Sequence, residues 1–231
     1  EKTNQIYFFQ NKTVFFNKPA DLEDPWLRDQ QTLLKREAES LIIDSIPVLT
    51  FNKYRLFDYN GNRSEYESVY FLKRKRLLVF GLLAYLDESD KNISELQDCI
   101  WNICDEYTWA LPAHLGGNSL NPDGSIVQGR IVPHRQMLDL FACETAFALS
   151  EILYLLEERL DPLLADRVRK ECFSRVLDPF AESAFLWPFE EMKNNWCAVC
   201  AGSIGACALY LMDNSEKKAG IIHRTMKSLD N

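Results

Sequence analysis

Apolar positions along the chain recur mostly every three to four residues, the period of a helix with one buried face. In WLRDQQTLLKREAESLIID the recurring residues are Leu33, Leu34, Ala38 and Leu41, and Asp24-Pro25 ahead of them reads as an N-cap followed by a first-turn proline. YESVYFLKRKRLLVFGLLAYL predicts a long helix with one strongly apolar end, introduced by Ser64 and Glu67 at capping-box spacing. Asn92 and Glu95 repeat that signal at the start of the next helix, where Ile93, Leu96, Ile100, Ile103 and Cys104 form one stripe. A further helix is expected from about Met137 to Leu160, and Asp161-Pro162 restarts the chain into LLADRVRKECFSRVLDPF. CAVCAGSIGACALYLMD and SEKKAGIIHRTMKSL complete seven periodic segments.

Two stretches break the pattern. IYFFQNKTVFF, residues 6–16, alternates and is rich in aromatics, so residues 1–22 are expected to form an extended arm ahead of a helical domain over 23–231. Residues 108–134 hold three prolines and four glycines without any period; such long irregular segments in helical domains usually carry function. Seven helices with short connections predict an all-α fold of stacked helical hairpins forming one body.

Composition narrows the classes. The chain has 231 residues, 47% of them hydrophobic, enough for a sizeable core. The net charge of -8 disfavours long-range attraction to nucleic acid or an anionic membrane surface. The first ten residues contain neither the basic nor the apolar region of a leader, and no apolar run reaches membrane-spanning length. Seven cysteines at scattered positions cannot all pair, and they read as buried reduced thiols, pointing to a cytoplasmic setting; a periplasmic or secreted one stays open.

Candidate chemistry concentrates in MKNNWCAVC, residues 192–200. Its C-x-x-C, Cys197 and Cys200, lacks the preceding strand of a thioredoxin-like redox couple. Cys99 and Cys104 would be the other half of a zinc clamp, but five residues apart on a helix their side chains diverge by about 140°. Neither a metal nor a redox cofactor is therefore expected, and the cysteines read as small core residues. Among the histidines, His223 reads as a surface residue, His134 beside Arg135 as part of an anion-binding pair, and His114, in WALPAH, as the strongest candidate. The carboxylate pairs Asp105-Glu106 and Glu190-Glu191 are compatible with glycosidase chemistry but too common on helices to identify it.

Taken in order, SEYESVYFLKRKRLLVFGLLAYL, WNICDEYTWALPAH, DLFACETAFALSEILYLL, RVLDPF, and NNW before a small-residue helix resemble the heparinase II/III-like polysaccharide lyases over about Arg63 to Leu211. The resemblance implies an incomplete (α/α) toroid of helical hairpins, with a β-sandwich part absent from this chain. The implied activity is β-elimination on a uronic-acid-containing polysaccharide or oligosaccharide, without a cofactor. It places the carboxylate-neutralising amide first at Asn195 and next at Asn194, and puts His114, Trp109 and Trp196 along the groove; His134 and Arg135 join them as substrate-binding candidates. Glu106, Asp139 and Glu144 fall at family positions but read as helix braces.

The family's proton-transferring tyrosine follows the next helix in a Gly-rich acidic segment, which this chain does not contain before Asn231. The expectation is thus a toroid fragment nearly inactive alone, with an apolar edge that favours a homo-oligomer. Two other readings stay open: an (α/α) toroid glycoside hydrolase, and a non-catalytic glycan-binding or scaffold domain.

Overall fold

The computed structural model describes residues 25–87, 89–115, 132–213 and 215–230, and among these every regular element is helical. The expected arm at residues 1–22 and the middle of the irregular segment, residues 116–131, lie outside the described residues. The helices are α1 (Pro25–Ile42), α2 (Phe51–Asn60), α3 (Ser64–Leu86), α4 (Asp90–Cys104), α5 (Leu140–Leu156), α6 (Pro162–Cys172), α7 (Asp178–Glu182), α8 (Asn195–Leu211) and α9 (Glu216–Leu229).

Residue pattern sorts these helices into two rows. α5 and α8 are apolar nearly all round and are buried from several sides, whereas α4, α6 and α9 carry a single apolar stripe. α3, α5 and α8 pack side by side, and α4, α6 and α9 cover them, each against its chain neighbour; α1 lies on α3. α8 packs against both α5 and α9, where Cys197, Cys200, Ala201, Gly205, Cys207 and Ala208 keep its surface thin. A Cβ on Gly205 would lie 3.3 Å from the Thr225 hydroxyl of α9, so a small residue is needed at that crossing. One continuous core runs through α1 and α3 to α9, and Tyr66, Tyr70 and Leu111 form a second, smaller cluster on which Tyr54 of α2 packs.

Several start signals act differently from the sequence expectation. Asp161 caps α6 as expected, accepting from the Leu163 N–H at 2.8 Å. Ser64 is the first residue inside α3 and makes no cap; Glu67 turns back to Arg63 at 2.6 Å. α4 begins two residues ahead of Asn92, whose amide holds the Asp87 carboxylate instead, while Glu95 pairs with Arg76. The helix expected from about Met137 starts at Leu140, because Asp139 is its cap and accepts from the Ala142 N–H at 2.7 Å. α2 has no counterpart among the seven periodic segments; its ends are set by Thr50, which caps Lys53 N–H, and by Gly61, which closes the last turn at a φ of 74°. A π-turn over Phe173–Leu177 absorbs one offset in the LLADRVRKECFSRVLDPF segment and leads directly into α7.

All seven cysteines are free and buried. Cys197 Sγ donates to the Ser228 carbonyl at 2.9 Å, tying α8 to α9, and Cys200 is fully enclosed. Burial pushes the Cys99 and Cys104 thiols up to about 12, which leaves them unreactive as nucleophiles. Among the described residues no three His, Cys, Asp or Glu side chains are grouped to hold a metal ion, and no helix is long and apolar enough to cross a membrane.

Candidate functional site

Three helix starts meet at one imidazole. His114 sits on a single 3-10 turn, Pro112–His114, whose geometry follows from Pro112 at its first position and a His114 N–H bond to the Leu111 carbonyl at 2.8 Å. Its Nδ1 lies 2.7 Å from Oδ2 of Asp139, the residue that caps α5. Its Nε2 lies 3.4 Å from a guanidinium nitrogen of Arg63, the residue that precedes α3. The ring is 5.0 Å from that of Trp196, in the first turn of α8. Arginine only donates, so Nε2 accepts; the imidazole hydrogen then resides on Nδ1 and is donated to Asp139.

Asp139 explains why the imidazole is fixed. Its side chain is almost fully buried and accepts from Ala142 N–H and Leu111 N–H as well as from His114. One carboxylate thus caps α5, holds the chain entering the turn, and orients His114 by the logic of an imidazole steered through its second nitrogen. Phe141, two residues on, stacks on His114 at 5.8 Å and meets Phe71 of α3 at 5.2 Å. A strip of rings, Phe71, Phe141, His114 and Trp196, therefore crosses the ends of α3, α5 and α8.

The two asparagines stand at the edge of this strip. Asn194 is the N-cap of α8, its carbonyl oxygen accepting from Trp196 N–H at 3.0 Å, and Asn195 opens the helix; both are exposed. Residues at the starts of α3, α5 and α8 thus meet around His114, with the α5 start capped by Asp139 and the α8 start by Asn194.

The remaining sequence candidates go elsewhere. Trp109 is 1% exposed, with its indole N–H on the Ile103 carbonyl at 3.0 Å and Arg175 over its ring at 4.6 Å; it supports the site from inside the core and offers no face to solvent. Arg135 is committed to Glu171 and to the Glu106 carbonyl. His134 faces a separate cleft, where its Nδ1 lies 2.7 Å from the Tyr54 hydroxyl.

Between these two regions lies a buried ion cluster. Glu106, 6% exposed, receives Lys73 at 2.7 Å and both terminal nitrogens of Arg74, at 2.8 and 2.7 Å. Burial alone would raise this carboxyl; the charge and hydrogen bonds of Arg74, joined by Lys73, outweigh it and hold Glu106 below the ordinary carboxylate range. It braces α3 against the end of α4. Glu190 is similarly held by Arg224 at 2.6 Å and accepts from Trp187 N–H at 2.6 Å.

Sequence reasoning missed Arg63, Phe141 and Tyr54. Arg63 had a legible place, directly before a helix start, but its meeting with His114 spans 51 positions and no local pattern encodes it. No protein-family model matches the chain, and a search of curated proteins gives no match either. The functional reading therefore rests on the fold and on the residues around His114.

Proposed function

We propose that the chain is the toroid part of a polysaccharide lyase that cleaves uronic-acid-containing glycans by β-elimination. The observation that carries this reading is the convergence on His114 of segments far apart in sequence, those of WALPAH, DLFACE and NNW, at the starts of three helices. The paired rows of helical hairpins are compatible with an (α/α) toroid.

The chemistry accounts for the residue types. Removing the proton beside a uronate carboxylate places a second negative charge on a group that is already anionic; the carbon–oxygen bond to the next sugar then breaks, and the departing oxygen takes up a proton. The costly step is the charge build-up, and preorganised donors lower it most. In this reading the Asn195 amide, with Asn194 beside it, donates to the carboxylate without bringing a charge of its own. The α8 start and Arg63 add positive potential, and His114, Phe141 and Trp196 line the position of the ring.

The glycoside hydrolase alternative needs a carboxylic acid able to stay protonated near neutral pH. Glu106, held below the ordinary range by Arg74 and Lys73, does not meet that requirement; Glu144 of α5, raised by partial burial and by the Asp139 charge, is the carboxyl this alternative would have to use. We further propose that the open face of the α3 row, where Phe71, Leu78 and Leu82 are 42%, 54% and 49% exposed, meets a second copy of the chain.

The test is absorbance of the unsaturated uronate. The full product of the gene is incubated with heparin-like, chondroitin-like and alginate-like polymers, as wild type and as Asn195→Ala. Absorbance growth that falls by about 100-fold or more in the variant supports the reading. No growth with any polymer rejects lyase activity, and unchanged glycan binding in Asn195→Ala favours the scaffold reading.

A further inference from the structure

A second cleft, of about 760 Å³, opens between α2, the first half of α3 and the loop after α4. That volume is in the range of small-ligand pockets, about 300–1,000 Å³. Its walls are aromatic. Tyr54 and Tyr107 stand at right angles, with ring centres 5.5 Å apart and an interplanar angle of 86°, and Phe51, Tyr59 and Tyr107 are 73%, 74% and 63% exposed. Rings left this open around a concavity present faces for a flat or ring-shaped ligand.

The floor is polar and incompletely paired. Tyr66 is 4% exposed, lines the cleft, and its hydroxyl has no hydrogen-bond partner among the described residues. That hydroxyl is open to the cleft, where it can donate to a group supplied from outside. Beside it Lys73, 2% exposed, spends two ammonium hydrogens on Glu106 and on the Asn102 carbonyl and retains a third. Both spare groups donate. Lys73 in the lining and Arg74 behind it bring two positive charges against Glu106, while the other charged residues of the lining, Arg55 and Asp105, are paired one to one with Asp58 and Arg167.

We infer that this cleft is a second carbohydrate-binding site, taking one acidic sugar unit with its ring against Tyr54 and Tyr107 and its carboxylate toward Tyr66 and Lys73. It neighbours the His114 site: Tyr66 stacks on Tyr70 at 6.3 Å, Tyr70 meets Phe141 at 6.0 Å, and Phe141 stacks on His114. One acidic polymer would thus be held at two places, which adds avidity without any new chemistry. The choice of a sugar over other anionic rings rests on the proposed function; the cleft's demand for a carboxylate does not.

The test uses the chain labelled with 3-fluorotyrosine and followed by fluorine NMR during titration with a glucuronate-containing disaccharide, with a neutral glucose disaccharide as control. The resonances of Tyr54 and Tyr107, assigned by single Tyr→Phe variants, are expected to shift saturably with the acidic sugar only. Tyr66→Phe should weaken that binding about tenfold, the usual worth of one hydrogen bond to a charged group, while leaving the thermal midpoint unchanged because no internal bond is lost. Absence of saturable shifts, equal response to the neutral disaccharide, or unchanged affinity in Tyr66→Phe would each overturn the proposal. Because the signal comes from the cleft itself, shifts without any elimination by the full gene product would sink the lyase reading and leave this one standing; elimination without shifts would do the reverse.

Discussion

Asp139 shows how much a single side chain can carry. It caps α5, receives Leu111 N–H and fixes His114, so Asp139→Ala removes a cap and leaves buried donors unpaired. A loss of about 2–4 kcal/mol is expected in urea unfolding, together with release of the imidazole seen as sharpened His114 NMR signals. Glu106 sets the response to acid. Its folded value lies below its ordinary 4.5, so its contribution is full above that value and is lost as pH falls through the depressed folded value. Stability measured from pH 6 downward should therefore decline steeply in the acid range, and Glu106→Gln, already less stable at neutral pH, should show a flatter decline. Only part of this was legible beforehand: a carboxylate before a helix is a readable cap, but that Asp139 reaches His114 across 25 positions is a matter of folding.

At the level of elements, caps and breakers governed where helices begin, and competition among side chains decided which signals were used. Asp161-Pro162 worked as read, the Asp161 carboxylate accepting from the Leu163 N–H of the first turn. Ser64 and Asn92 failed as caps because Glu67 and Asn92 found stronger side-chain partners, Arg63 and the Asp87 carboxylate. α2 was missed because it buries no residue fully, so the periodic pattern is weak and only Thr50 and Gly61 mark its ends. Where helices touch, the tolerance is narrow. A Cβ on Gly81 of α3 would lie 3.2 Å from Ile152 of α5, so Gly81→Val should destabilise by about 1–3 kcal/mol in urea unfolding, whereas Gly202→Ala, with open space around its Cβ, should be neutral or stabilising.

Across the whole molecule, the α3 face that leaves Leu78 and Leu82 open is the feature most exposed to test. Sedimentation at rising concentration should reveal self-association in the wild type, reduced by Leu78→Lys with Leu82→Lys; a chain that stays monomeric throughout rules out the proposed second copy. The sequence by itself determined the helical class, most helix positions and the burial of the cysteines. Those depend on period and polarity within a few turns, and they survive without knowledge of neighbours. The tertiary structure alone decided which candidates share a place: His114, Trp196, Asn194 and Asn195 are gathered by the packing of α3, α5 and α8, Trp109 and Arg135 are spent on structure, and His134 is turned to a separate tyrosine-lined cleft. Local spacing cannot encode that division, because each contact is set by where whole helices come to rest against one another.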